Sequence, residues 1–549
     1  MTVPHSPSSP WLARLSGAVA AAVALATTEL LAAVTGSEGS LVAAVGAVVV
    51  DRTPGEVART AIDSFGTADK PILLGAVVVV CVALGALLGS ATARRWWAAP
   101  LGFGVAALLG IWAASTDPTI GSASAIVAAL GGAAAVWACL WILLGVLRTG
   151  GPAPFGPSAD ELATERAWPD GPVHAEPMVG TGADRPGAGR ADRRSFFVWT
   201  GAAAAFAGLT AVGARSLEGR GGISRGRDKV VLPPSGTATP TSPPGQFTVE
   251  GLSPLVTPNA DFYRIDTALV VPRVDVADWT LAVTGNVPSP YTLTFDELAA
   301  MPTVEAPVTI ACVSNGVGGG LVGTAVWQGV LLTTILERAG LVPGDVPEPA
   351  GQLVGRSVDG FTVGFPTEVA LDGRAAMVAI GMNGEPLPFD HGFPARLIVP
   401  GLYGYVSATK WLRRIELTGW DEFDAYWVPR GWSKEGPVKT QSRIDVPRSG
   451  STLTPGRVAV AGVAWAPTRD IQRVEVRVDE GPWSDAQLGP GWNDDVWRQW
   501  LWEWDAEPGT HVIEVRATDG TGETQTEERR PVDPDGATGW HQRTVKVEG

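Results

Sequence analysis

Cys312 is the only thiol after Cys139, and it falls at the end of an apolar run rich in β-branched residues. A thiolate is a soft metal ligand, and a thiol with no partner nearby in the soluble part of the chain forms no internal disulfide there. A buried, inert cysteine is the ordinary alternative. Downstream, His391, Arg396 and Lys410 bring an imidazole, a guanidinium and an ammonium into one apolar stretch, Asp390 to Leu412. A phosphate or pyrophosphate is recognised by such groups, because arginine offers a bidentate fork, lysine a point charge and histidine a further donor. Here the ordinary alternative is a β-hairpin carrying surface charges.

The surrounding elements must hold these groups. Pro307–Val313 is expected to be a buried strand with Val308, Ile310 and Cys312 on one face, so that Cys312 arrives at a strand end. Ser314, Asn315 and the glycines Gly316, Gly318, Gly319 and Gly320 follow at once. That composition suits a sharp turn or backbone lying close to a ligand. A helical pattern from Trp327 to Ala339 closes the unit. His391, Arg396 and Lys410 punctuate an expected strand-turn-strand with corners at Pro394, Pro400 and Gly401.

Together these segments resemble the sulfite oxidase family of molybdenum-cofactor enzymes. Cys312 after an apolar strand, Asn315 three residues on, and the Trp327-x-Gly329-Val330-x-Leu332 pattern look like that family's molybdenum-ligand region. His391-Gly-Phe-Pro-x-Arg396, the following Val-Pro-Gly and Ser407-x-x-Lys410-Trp411-Leu412 look like its pterin-phosphate region. Upstream, Thr257-Pro258-Asn259-Ala260-Asp261-Phe262-Tyr263-Arg264 is similar to its Phe-Tyr/Phe-Arg segment. The resemblance covers residues 246–549. It implies a Mo-molybdopterin cofactor with Cys312 as the protein's ligand to molybdenum, and oxygen-atom exchange with a small substrate. Asn259, Tyr263, Arg264, Asn315, Asp359, His391, Arg396, Ser407 and Lys410 are implied to hold the cofactor. Trp327 is implied to wall the substrate pocket. Sulfite-oxidising members carry arginine just after the Cys-x-x-Asn unit, whereas Gly316, Val317 and Gly318 stand here. This loop therefore implies no cationic sulfite pocket; a neutral sulfoxide or N-oxide fits at least as well, and the reaction direction stays open.

Composition sets the frame. The net charge of −15 argues against a nucleic-acid partner. The first 150 residues are almost free of charge, and apolar runs at 11–34, 72–90, 101–114 and 120–147 are expected to cross a membrane. Residues 35–70 read as a loop. Arg14, Arg94-Arg95 and Arg148 place the flanks of these spans in the cytoplasm. Residues 149–192 have the composition of a flexible cytoplasmic linker. Arg193-Arg194-Ser195-Phe196-Phe197 opens a moderately apolar segment, 193–214, that looks like a twin-arginine signal within the chain, with a fifth transmembrane helix as the alternative. Either reading puts the remainder outside the cytoplasm. Residues 215–245 read as a Pro/Gly-rich spacer.

The expected fold is an N-terminal α-helical transmembrane region, then an α+β (mostly β) sulfite oxidase-like molybdopterin domain over 246–438, and a C-terminal immunoglobulin-like β-sandwich over 439–549. In the resembled family such a sandwich often dimerises, so a homodimer is an expectation. Trp492, Trp497, Trp500, Trp502 and Trp504 read as core packing, with a pocket lid or interface as the alternative. The five histidines are His5, His174, His391, His511 and His541. None lies in an expected span, so a separate electron-transfer partner, a haem protein or a quinone-linked one, is expected. Gly318–Gly323 meets the letter of a dinucleotide fingerprint without the repeated βαβ units. Ser407-x-x-Lys410 lacks the companion motifs of a penicillin-binding serine site. A non-catalytic, membrane-anchored binding or assembly protein on the same scaffold remains the rival reading.

Overall fold

The computed structural model describes residues 10–149 apart from 36, 38, 54–56, 58–67, 93, 94 and 96, and then 188–221, 226–236 and 244–549. It divides into a helical unit, residues 1–223, and a β-rich unit, residues 224–549.

The helical unit contains α1 (Pro10–Val34), α2 (Leu41–Arg52), α3 (Asp69–Thr92), α4 (Ala98–Thr116), α5 (Ser122–Thr149) and α6 (Ala188–Gly221). Among the described residues five helices are long and apolar enough to cross a membrane: Trp11–Val34, Asp69–Thr92, Ala98–Thr116, Ser122–Leu144 and Phe196–Gly213. Small residues let them approach closely. Gly17 of α1 lies against the backbone of Gly85 and Gly89 in α3, with no room for a Cβ on any of the three. Phe196 of α6 is buried in one apolar cluster with Leu12, Cys139 and Leu143. The expected loop over 35–70 is corrected in part: its apolar run 41–50 forms α2, capped by the Ser40 side chain accepting from Ala43 N. The expected 149–192 linker lies outside the described residues up to 187, and the 193–214 segment is the middle of α6.

In the β-rich unit, the strands that precede residue 438 are β1 (Thr280–Gly285), β2 (Tyr291–Thr294), β3 (Val304–Ala311), β4 (Val322–Leu331), β5 (Gln352–Ser357), β6 (Thr362–Pro366), β7 (Met377–Met382), β8 (Glu385–Pro386), β9 (Arg396–Ile398) and β10 (Leu412–Thr418). They make one mixed sheet, β2-β1-β10-β5-β6, in which β1 and β10 are parallel, and one antiparallel sheet, β3-β4-β7-β8, with β9 also pairing with β7. Short helices α7 (Phe295–Ala299), α8 (Leu332–Arg338) and α9 (Gly404–Ser407) connect them. Thr294 and Glu297 close a reciprocal capping box on α7, as the Thr-x-x-Glu spacing predicts. Leu281, Val283, Leu336, Phe365, Ile380 and Leu397 share one core between the sheets.

Two expectations change. The helix expected from Trp327 starts only at Leu332. Val322, Thr324, Val326 and Val330 are β-formers, and β4 pairs with β3 along its length and with β7 from Trp327 onward. The expected strand-turn-strand is no hairpin, because β9 pairs with β7 whereas β10 lies between β1 and β5 in the other sheet. The spacer is also more than a spacer. Arg227 donates to Leu387 O at 2.8 Å and Pro386 O at 2.6 Å, and Gly236 N donates to Thr303 O at 2.7 Å, which straps residues 226–236 onto the domain.

The C-terminal part holds β11 (Gln441–Val446), β12 (Thr452–Leu453), β13 (Gly456–Trp465), β14 (Ile471–Val478), β15 (Ser484–Asp485), β16 (Gln487–Leu488), β17 (Arg498–Ala506), β18 (Gly509–Asp519) and β19 (His541–Val547). Two sheets, β11-β13-β17-β16 and β12-β19-β18-β14-β15, close on one core containing Val460, Val474, Trp500, Ile513 and Val545. A second cluster joins this part to the first, since Ala311, Val313 and Tyr403 pack with Val463, Trp465 and Trp497.

Candidate functional site

Strand β3 is buried from Ala306 onward and delivers Cys312 just past its end, 8% exposed. The chain then turns back within one loop. Cys312 N donates to Leu321 O at 2.9 Å, Asn315 N to Cys312 O at 3.0 Å and Gly319 N to Gly316 O at 2.8 Å. The Asn315 side-chain oxygen accepts from Leu321 N at 2.8 Å, so Asn315 braces the loop from inside. Gly318 sits at φ +74°, a conformation that favours glycine. Burial pushes the Cys312 thiol up; hydrogen bonds from Ser314 and the charge of Lys410 pull it back down.

The buried cations come from the segment between β8 and β10. Arg396, 3% exposed, opens β9 and lays its guanidinium over the Trp327 ring, 4.9 Å from the centroid. Its Nη1 donates to His391 O at 3.0 Å, and its Nε has no hydrogen-bond partner among the described residues. Burial pushes Arg396 down to about 10. His391 is 5% exposed, with Nε2 at 3.1 Å from Asn259 O and Nδ1 unpartnered. Burial, and then the Arg396 charge, push it down to about 4. Lys410 is 7% exposed; its Nζ donates to Asp266 at 3.0 Å and to Asp390 O at 2.9 Å. Burial pushes it down to about 8 against the pull of Asp266.

The Thr257–Arg264 segment ties the two halves together. Thr257 N donates to Thr324 O at 2.8 Å, fixing the segment to β4. Phe262 stands edge-on to Trp327 at 5.8 Å and to His391 at 5.7 Å. The Tyr263 hydroxyl is raised by burial and then by Cys312, and lowered by Arg396, so it lies within electrostatic reach of both. Thiol, phenol, guanidinium and ammonium are thereby brought into one neighbourhood.

The other expected residues are placed as follows. The Asn259 side chain is taken up by Asn383, 2.8 Å, and Glu385, 2.6 Å, leaving its carbonyl to hold His391. Arg264 is exposed and pairs with Asp266 at 3.2 Å and Asp390 at 3.6 Å. The buried Ser407 hydroxyl donates to Tyr403 O at 3.0 Å. Asp359 lies in the β5–β6 turn and accepts from Phe361 N at 3.2 Å. Trp327 is fully buried, with the Arg396 guanidinium over its ring. Asp266 and Asn383 are the residues that the sequence reading missed. Asn383 adopts φ +52° in a Met-Asn-Gly turn, which was its only visible signal; Asp266 had none.

A guanidinium nine-tenths buried with no carboxylate against it among the described residues, beside an imidazole with a sealed, unpartnered nitrogen, is unfavourable unless an anion completes it. The neighbouring thiol is a single soft ligand, and among the described residues no three His, Cys, Asp or Glu side chains converge on a point. A metal here would have to arrive with most of its own ligands. The residues therefore fit a phosphate-bearing carrier that brings most of the metal's ligands with it.

Residues 268–427 match the profile of the oxidoreductase molybdopterin binding domain. That range contains Cys312, Trp327, His391, Arg396 and Lys410, and begins just after Asn259–Arg264. Mitochondrial sulfite oxidase of Mus musculus is 30% identical, with 47% of this chain and 53% of that protein covered. Sulfite oxidase of Gallus gallus is 29% identical over 53% of this chain and 72% of the relative. NADH nitrate reductase 1 of Oryza sativa subsp. japonica is 39% identical over 27% of this chain and 18% of the relative. Among solved structures, the sulfane dehydrogenase SoxCD of Paracoccus pantotrophus gives a TM-score of 0.45 at 22% identity, over 58% of this chain and 96% of that one. The chain spans about half the length of the mitochondrial sulfite oxidases it matches, 53%. On the matched domain and these relatives, the chain carries an oxidoreductase molybdopterin binding domain similar to those of sulfite oxidases and nitrate reductases; it is a molybdopterin-dependent oxidoreductase, and its cofactor is Mo-molybdopterin.

Proposed function

We propose that the chain is a membrane-anchored oxidoreductase that exchanges an oxygen atom with a small extracytoplasmic substrate, with Cys312 as the protein's ligand to molybdenum. One observation carries this reading: Cys312, buried just past the end of β3, lies within electrostatic reach of Lys410 and of Tyr263, and Tyr263 in turn lies within reach of the buried Arg396, whose Nε has no hydrogen-bond partner among the described residues. The cofactor supplies the redox-active metal when bound; the protein holds and tunes it. Arg396, propped on Trp327 and His391 O, offers its remaining donors to a phosphate. His391, whose Nε2 donates to Asn259 O, offers Nδ1 as one more donor once the phosphate draws a proton onto it, and Lys410 adds charge partly offset by Asp266. Tyr263, within electrostatic reach of the thiol, supplies a hydroxyl donor at the reacting end. Asn259 and Asn315 serve by holding His391 and the Cys312 loop, and Arg264, Ser407 and Asp359 complete the surround.

The substrate is a small neutral oxygen donor or acceptor, in keeping with Gly316, Val317 and Gly318 after the Cys-x-x-Asn unit. The apolar helices anchor the enzyme, α6 carries the twin-arginine-like sequence, and electrons pass to or from a separate haem protein or quinone-linked carrier. The C-terminal sheets are immunoglobulin-like and pair two copies into a homodimer. The test is elemental analysis of full-length protein made in a cofactor-competent host. Wild type is expected to hold about one molybdenum per chain, lost in Cys312→Ser. Metal-free wild type would instead favour a non-catalytic binding scaffold.

A further inference from the structure

A cleft of about 410 Å³ opens beside the Gly318–Gly320 backbone, between it and the C-terminal sheets. None of Cys312, His391, Arg396 and Lys410 lines it. Its charge is lopsided, since Arg443, Arg448 and Arg543 line it with one carboxylate, Asp445. Asp445 is already spent: its two oxygens accept from Arg443 Nε at 2.6 Å and Ser253 N at 3.0 Å. Arg443 is engaged at each of its three nitrogens, with Nη1 on Gly319 O at 2.9 Å and Nη2 on Ser253 Oγ at 2.8 Å besides Nε on Asp445. Two guanidiniums remain. Arg543 makes only long contacts to Ile444 O, 3.4 Å from both Nε and Nη2. Arg448 is exposed and makes no ion pair among the described residues. In a chain of net charge −15, three guanidiniums against one carboxylate in one concavity, also lined by Ser449, mark a place where negative charge is wanted.

We propose that this cleft binds the phosphate or carboxylate head of a small organic anion, at a site separate from the Cys312–Arg396–Lys410 cluster. Arg448 and Arg543 hold the head from two sides, and Arg443 serves as the fixed floor that ties the site to the loop after Cys312. The size argues for an organic ligand, since the volume falls within the roughly 300–1,000 Å³ typical of small-molecule sites. The flat glycine backbone leaves room for a body as well as a head.

The experiment uses the detergent-solubilised full chain, with phenyl phosphate as the probe and isothermal titration calorimetry as the readout. Saturable one-to-one binding is expected, weakening with salt. Arg448→Ala should weaken it at least tenfold and Arg448→Ala with Arg543→Ala should abolish it, while molybdenum content and melting temperature stay at wild-type values in Arg448→Ala, whose side chain is exposed. Phenol should not bind, and inorganic phosphate should bind more weakly than phenyl phosphate. No saturable binding, equal affinity in Arg448→Ala, or equal affinity for inorganic phosphate would each overturn the proposal. None of these outcomes bears on whether Cys312 holds molybdenum.

Discussion

The Arg396 guanidinium lies over the Trp327 ring, 4.9 Å from its centroid, and both side chains are sealed from solvent, at 3% and 0% exposure. The indole face offsets part of the desolvation of the cation, but no carboxylate finishes the task among the described residues. Arg396 is therefore a cost to the cofactor-free protein and a gain to the loaded one. Arg396→Leu, of roughly similar bulk, is expected to leave the cofactor-free protein equally stable or more stable by about 1–4 kcal/mol, while cofactor retention is lost. Melting curves of both proteins from a host unable to make molybdopterin decide it. A cofactor-free variant that melts well below cofactor-free wild type would show that the protein itself already compensates the charge.

His391 gives the site a pH signature. Its folded pKa, about 4, lies below the ordinary 6.5, and His541 is likewise pushed down to about 3 by burial and then by Arg543. Between those values and 6.5 the unfolded chain binds more protons than the folded one, so stability rises with pH across that window and is lost as pH falls. Each histidine contributes a slope of at most about 1.4 kcal/mol per pH unit. A phosphate beside His391 favours its charged form and removes its part of the slope, whereas His541, placed in the C-terminal sheets, keeps its own. Cofactor-free protein should therefore destabilise more steeply than loaded protein below about pH 6.5, and His391→Gln should erase the difference. Parallel slopes in loaded and cofactor-free wild type would remove His391 from the phosphate site.

The sequence announced the strand that ends at Cys312, the glycine turn, the α7 capping box and the period-two strands β13, β14 and β18, because each rests on local propensity. It misplaced Trp327–Leu331 because an apolar run bounded by glycine is ambiguous between helix and strand, and pairing with β3 and β7 decides the matter. The separation of β9 and β10 into two sheets was equally hidden, since register across sheets leaves no local mark. Of the site residues, Cys312, His391, Arg396 and Lys410 were legible as unusual types in apolar surroundings. Asp266 and Asn383 were not, because a carboxylate that pairs with a buried lysine and an amide that locks a turn become visible only once distant segments meet.

Thr309 shows how the C-terminal part reaches the site. Its buried hydroxyl accepts from Trp497 N at 2.8 Å and pairs with Thr324 Oγ1, and its own N–H donates to Asp495 O at 2.9 Å. Strand β3 is thus clamped from the Trp-rich segment three residues before Cys312. Thr309→Val keeps the shape but strands two buried polar partners, at about 1–3 kcal/mol each. Thr309→Ser should restore most of the loss. Alkylation at Cys312 in cofactor-free protein, followed by mass spectrometry, should run faster in the valine variant than in wild type or Thr309→Ser; an unchanged rate would mean that the clamp does not position the thiol.

Gly318 is the point where the Cys312 loop and the C-terminal sheets leave no slack. Its φ is +74°, and a Cβ there would overlap the ring of His541. His541 cannot simply swing away, because its Nδ1 accepts from Ile444 N at 2.9 Å. Gly318→Ala therefore carries two penalties, about 1–2 kcal/mol for a left-handed alanine and the displacement of His541. His541→Ala removes only the second. In a double-mutant cycle read by thermal melting, the pair should be more stable than the sum of the single changes predicts, with a residual loss near the left-handed penalty. Strict additivity would mean that the ring and the loop are not in contact, and that the glycine is required by backbone conformation alone.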